Sequence, residues 1–152
     1  VVVDGVYFDS RMIGDYIYVI INKPAYVENN KVPLPKITTD EYEVEVEASD
    51  IYYVNRSDYS HVFTSIVSVN VQDPEEESVH ETFLLGYECT LYVSQTNIYI
   101  TSPCRVEEDS GFIYGTNVHK IQIDQGKITY QNNGPVYGRY KRSRSPRSVK
   151  AR

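Results

Sequence analysis

The densest set of groups able to do chemistry is a row of alternating carboxylates, Glu43, Glu45 and Glu47, separated by Val44 and Val46. On an extended strand, residues two apart share a face, here at about 6.6 Å from a rise of ~3.3 Å per residue. With Asp40, Glu41 or Asp50 beside it, such a row could hold a hard cation such as Ca²⁺ through oxygen ligands. It is equally what a solvated strand face looks like, its charge keeping edges from pairing. The D-x-D-x-D-G spacing of a calcium loop is missing. Two further acidic runs, Asp73-Pro-Glu-Glu-Glu77 and Glu107-Glu-Asp109, read as solvated loop tips.

A second set is aromatic. Tyr42, Tyr52, Tyr53 and Tyr59 crowd into one stretch, and Tyr offers stiff amphipathic area suited to protein or sugar contact. Tyr also occurs 15 times along the chain, as strand residues do. His61, His80 and His119 each stand alone, and no HExxH, nucleophile elbow or glycine-rich phosphate loop is present. No catalytic residue is therefore assigned. Asn55-Arg-Ser57 fits the N-glycosylation pattern. Cys89 and Cys104 flank a predicted hairpin, so a disulfide is geometrically open. If Tyr92 faces Tyr99, however, Cys89 faces position 102, and two buried free thiols are the other reading.

Charge narrows the partners. All 21 acidic residues lie in 1–138 with 8 of the 15 Lys and Arg, a balance of 8 − 21 = −13, while residues 139–152 carry +7. An acidic body is a poor partner for a phosphate backbone. The tail, Arg139 to Arg152, lacks apolar periodicity and reads as disordered; nucleic acid enters only through it. No stretch reaches the ~20 apolar residues of a membrane helix. The missing initiator Met and the opening Val1-Val-Val3 read as an excised or processed piece, with any export signal upstream.

The elements that must position these groups are strands, and they repeat. Thr64-Ser-Ile-Val-Ser-Val-Asn-Val71 returns at a shift of 52 as Thr116-Asn-Val-His-Lys-Ile-Gln-Ile123, and Ser10 to Ile20 returns at a shift of 81 as Leu91 to Thr101. Gly14-Asp15, Gln95-Thr96 and Gln125-Gly126 punctuate them as two-residue turns, and Val79 to Leu85 reads as an outer strand. The fold class is all-β, in antiparallel four-stranded units of the kind that build propeller blades. Unit one spans about 6–87 with an insertion at 22–60, and unit two about 88–138. In unit two the matching connection, Ser102 to Gly115, reads as short. Two blades cannot close a ring of the usual four to eight, so open edges invite self-association. His119 occupies the place of Val67, as a packed and satisfied side chain does.

The ordered segments Ser10 to Ile20, Phe63 to Asp73, Leu91 to Ser94 and Thr116 to Ile123 resemble secreted archaeal and bacterial proteins with a C-terminal β-propeller domain. The resemblance runs from about Val6 to Gly138 and implies an exported, cell-envelope or extracellular protein, without catalytic residues to carry over. After Gly134-Pro-Val-Tyr-Gly138 such proteins continue into another blade, whereas this chain turns basic. The expected function is a non-enzymatic module that binds a protein or glycan through loops, chiefly 22–60. The alternative is part of a propeller enzyme, a metal-assisted hydrolase or lyase whose site is completed by further blades.

Overall fold

The computed structural model describes residues 1–39, 43–53, 61–86, 90–108 and 111–137. Among them there is no α-helix; a single 3₁₀ turn, Ala48–Asp50, is the one helical element beside the strands. β1 (Val2–Val3), β4 (Lys36–Thr38) and β5 (Glu43–Glu45) form a small sheet in the order β1-β4-β5. β2 (Val6–Ile13), β3 (Tyr16–Pro24), β7 (His61–Asn70), β8 (Val79–Gly86) and β6 (Ile51–Tyr53) form a five-stranded sheet in that order. β9 (Thr90–Val93), β10 (Asn97–Glu108), β11 (Gly111–Asp124) and β12 (Lys127–Tyr137) form the third.

The repeat holds residue by residue. Ile20 faces Ile66 in the first large sheet and Thr101 faces Val118 in the second, the same pair after shifts of 81 and 52. The order β2-β3-β7-β8 thus recurs as β9-β10-β11-β12. The turns recur for a physical reason: a two-residue loop matches strand twist when its backbone enters the left-handed region. Gly14 sits at φ 59°, and Gln125 and Gly126 at 43° and 82°. In the third turn Ser94 Oγ supplies the order instead, accepting from the backbone N–H of Asn97 at 3.0 Å.

The two large sheets pack face to face through opposite sides of the repeat. Tyr18, Ile20, Ile66, Phe83 and Leu85 of the first meet Ile98, Ile100, Ile121, Ile123 and Ile128 of the second. Side chains two apart on a strand share a face, so the equivalents of Tyr18 and Ile66, which are Tyr99 and Val118, lie on the far side of the second sheet. Successive units are therefore stacked head to tail, as neighbouring blades are, rather than mirrored. Tyr18 Oη closes the seam by accepting from the buried N–H of Gly126 at 3.1 Å.

One expectation is corrected. The stretch from Ser102 to Gly115 is not a connection: β10 and β11 run through it and pair as far as Glu108 with Gly111, the register of the inner ladder continuing without a shift. The long insertion, by contrast, carries structure of its own in line with its strand-like sequence. It carries a tight Asn29–Asn30 turn, both residues at positive φ, closed by paired backbone bonds between Glu28 and Lys31. It then supplies β4, β5 and finally β6, which joins β8 in parallel, Tyr52 beside Phe83.

Candidate functional site

The insertion leaves the first sheet after Pro24 and returns at His61, neighbours in the ladder whose ends are tied by Ala25 N–H to the His61 carbonyl at 3.0 Å. Within it, Lys23 Nζ reaches across to donate to the Leu34 carbonyl at 2.9 Å and to Asp4 at 2.6 Å. Gly5 lies so close to Ile21 that a Cβ there would stand 2.7 Å from its side chain. Pro35, Ile37 and Val46 are buried, as are Phe63 and Val67 on the sheet face turned away from the second blade.

Two clefts lie along this junction. The first, about 520 Å³, is lined by Glu45, Glu47 and Asp50 on the insertion side and by His80, Glu81 and Thr82 of β8. Burial, with the nearby Asp50 charge adding to it, raises the Glu81 carboxyl above its ordinary value. Burial lowers His80, with Glu77 opposing. Both shifts favour the neutral forms, the usual response to partial desolvation, although His80 keeps its contact with solvent. The second cleft, about 420 Å³, is apolar, formed by Val27, Leu34, Ile51, Tyr53, Phe63 and Leu84 with His61 at its side. Ile51 lines both, so the acidic trough and the apolar groove share one wall residue.

The acidic row is kept together in part: Glu45 and Glu47 share the first cleft with Asp50, and Glu43 is not among its lining residues. Glu43 and Glu45 lie exposed on β5, and Glu47 lies beyond its end as the residue before the 3₁₀ turn. Glu43 pairs with Lys36 at 2.7 Å and holds that ammonium above its ordinary pKa. Among the described residues no three acidic, His or Cys side chains are placed to share a metal ion. Of the tyrosines, Tyr52 stacks on Phe83 with ring centroids 5.5 Å apart and tilts against Tyr130 of the second sheet at 5.7 Å. Its ring thus ties the insertion to the seam. Tyr53 is 72% exposed beside the apolar cleft. Tyr42, Tyr59, Asn55, Asp40, Glu41, Cys89 and the basic tail lie outside the described residues.

Cys104 is a buried free thiol, and Cys89, the other half of the disulfide reading, lies outside the described residues. The register follows the expectation, Tyr92 opposite Tyr99 and Thr90 opposite Thr101, so Cys104 lies beyond the end of the β9 ladder. His119 is 1% exposed. Its Nε2 lies 3.1 Å from Asn117 Nδ2 and 3.4 Å from Ser102 Oγ, and its Nδ1 3.4 Å from Tyr130 Oη. Asn133 donates to that phenol at 2.8 Å, while burial raises its pKa. These polar groups are enclosed between the sheets, the satisfied core role expected of His119. Asp50, named from the sequence beside the glutamate row, does line the cleft with Glu45 and Glu47; sequence reasoning missed His80 and Glu81, because a single strand-period pattern cannot show that β8 faces the insertion.

Comparison with known proteins agrees with this architecture. No curated protein matches the chain, and no solved structure matches it. The sequence model of one family does match, over residues 1–143, and that family is described as a beta propeller domain. With the match covering nearly the whole chain and two head-to-tail units beneath it, each built on four antiparallel strands and the first widened by β6, the chain belongs to the beta propeller domain family.

Proposed function

We propose that this chain is a non-enzymatic binding module of an exported or cell-envelope protein, and that it takes a protein partner through the insertion. The observation that carries the reading is the pair of clefts at the junction of the insertion and the first blade, an acidic trough and an apolar groove that share Ile51. Loops held on a rigid scaffold are where binding residues concentrate. A trough carrying Glu45, Glu47 and Asp50 beside a groove floored by Phe63 and Leu84 is complementary to a segment with basic side chains next to apolar ones. The exported location rests on the resemblance to secreted propeller proteins.

The reading is tested with the intact chain immobilised and exposed to envelope extract. A partner retained by the native chain should elute with rising salt, because exposed charge pairs are screened. It should also be lost from Glu45→Lys/Glu47→Lys, whose substitutions fall on exposed positions. Retention of the same partners, at the same salt, by that variant and by a chain with the insertion replaced by a short turn would refute it.

A further inference from the structure

At the end of the strands opposite the insertion, the two blades bring three tight turns together. β3 begins there at Tyr16 and reaches the insertion only at Pro24. A cleft of about 420 Å³ lies between the turns, and Asp15, Tyr16, Gln95, Thr96, Asp124 and Gln125 stand on its walls. No part of the acidic trough or the apolar groove belongs to it.

The walls are rigid. Thr96 accepts at its carbonyl from the Ile123 N–H at 2.9 Å, fastening one turn to the next. Tyr18 holds the Gly126 N–H across the seam. The ring of Tyr16 lies against Gly126, where a Cβ would meet it at 2.5 Å, and its hydroxyl donates to Glu76 at 2.9 Å. By contrast, the side chains of Asp15, Gln95, Asp124 and Gln125 have no hydrogen-bond partner among the described residues and are exposed at the mouth. A fixed frame presenting unengaged polar ends is pre-organised, which reduces the ordering cost that dominates weak small-ligand binding.

The polar ends select a chemistry. Two carboxylates only accept, two amides both donate and accept, and a tyrosine ring supplies an amphipathic plate. Vicinal hydroxyls, each a donor and an acceptor on a ring with apolar C–H faces, match that combination. A phosphate would be repelled by Asp15 and Asp124. We infer that this cleft binds a neutral hexose-type sugar, as a residue of a glycan chain, at the end of the blades remote from the protein-binding insertion.

The test uses the full ¹⁵N-labelled chain titrated separately with glucose, mannose and N-acetylglucosamine to about 50 mM, above the roughly 1–10 mM dissociation constants of single-residue ligands this small. At least one sugar should shift the side-chain amide signals of Gln95 and Gln125 and the backbone signal of Thr96 saturably, leaving Glu45 and Glu47 unmoved. Gln95→Ala and Asp124→Ala, both at exposed positions, should each weaken that binding about five- to tenfold, the loss of one or two hydrogen bonds. Absence of saturable shifts with all three sugars, shifts confined to the insertion, or variants that bind as the native chain would overturn the inference. So would saturation of the same signals by Ca²⁺ at lower concentration than by any of the sugars.

Discussion

Replacing Tyr18 by Phe removes a single oxygen atom from the seam between the blades. The phenol is 1% exposed, and its oxygen accepts from the N–H of Gly126 at 3.1 Å. In the Gln125–Gly126 turn the ladder bonds run between Asp124 and Lys127, so that N–H has no strand partner and Tyr18 is what satisfies it. Phe fills the same space, so no cavity contributes. What remains is a buried donor left unpaired, worth about 1–3 kcal/mol. At roughly 2–4 °C per kcal/mol for a chain of this size, the melting midpoint should fall by about 2–12 °C. The matched control is Tyr16→Phe, which loses a hydroxyl bonded to exposed Glu76 and should stay within about 0.5 kcal/mol of the native chain, as surface changes do. Urea denaturation of both variants at a common slope measures the difference. Equal stability of the two variants would refute the account of the seam.

Other outcomes follow from the same geometry. Gly126→Ala should destabilise more than Gly14→Ala: both glycines sit at positive φ, but a Cβ at Gly14 meets open space while one at Gly126 meets the Tyr16 ring. The excess over the ~1 kcal/mol backbone cost is read by thermal melts. His80 should titrate below the ordinary 6.5 of its free side chain by NMR; its lowered folded pKa means stability is full above 6.5 and declines as pH falls through the folded value. Glu81 works in the opposite sense: its raised pKa imposes a cost above the folded value that vanishes below about 4.5. Glu81→Gln should therefore raise neutral-pH stability, with the two denaturation curves converging in acid. In a Cys89→Ser background, Cys104 should react with a thiol reagent only as fast as the chain opens, because its thiol is buried.

The strands were legible because their two-residue alternation is local. Val67 to Gln72 and His119 to Asp124 show it without help, and the shifts of 52 and 81 carry the register of β3 with β7 into that of β10 with β11. The burial of His119 was legible for the same reason, since it stands where the repeat has Val67. The clefts were not. The place of Ile51 beside Thr82 in a parallel pairing joins segments about 30 residues apart, and no short-range pattern encodes it. Tyr52 read as a recognition residue because it is aromatic and in an insertion; that its ring also packs on Phe83 and Tyr130 depends on the tertiary fold and is not in the local pattern. Glu43 to Glu47 read as one row because alternation was extended past the point where β5 stops, at Glu45.

The unequal connections of the two blades also bear on the order in which they form. The second blade closes only short loops between paired strands, whereas β3 cannot meet β7 until residues 25–60 have been looped out. Closing a loop of about 36 residues rather than two costs roughly 2.6 kcal/mol more in chain entropy, and non-local pairings are the slow ones. The amides of β10 and β11 should gain protection in pulse-labelled refolding before those of β3 and β7; simultaneous protection would contradict this order. The apolar face bearing Ile98, Ile121 and Ile123 would then exist as a surface while the first blade is still a chain. The insertion, by delaying its own blade, makes the later half of the sequence the template on which the earlier half condenses.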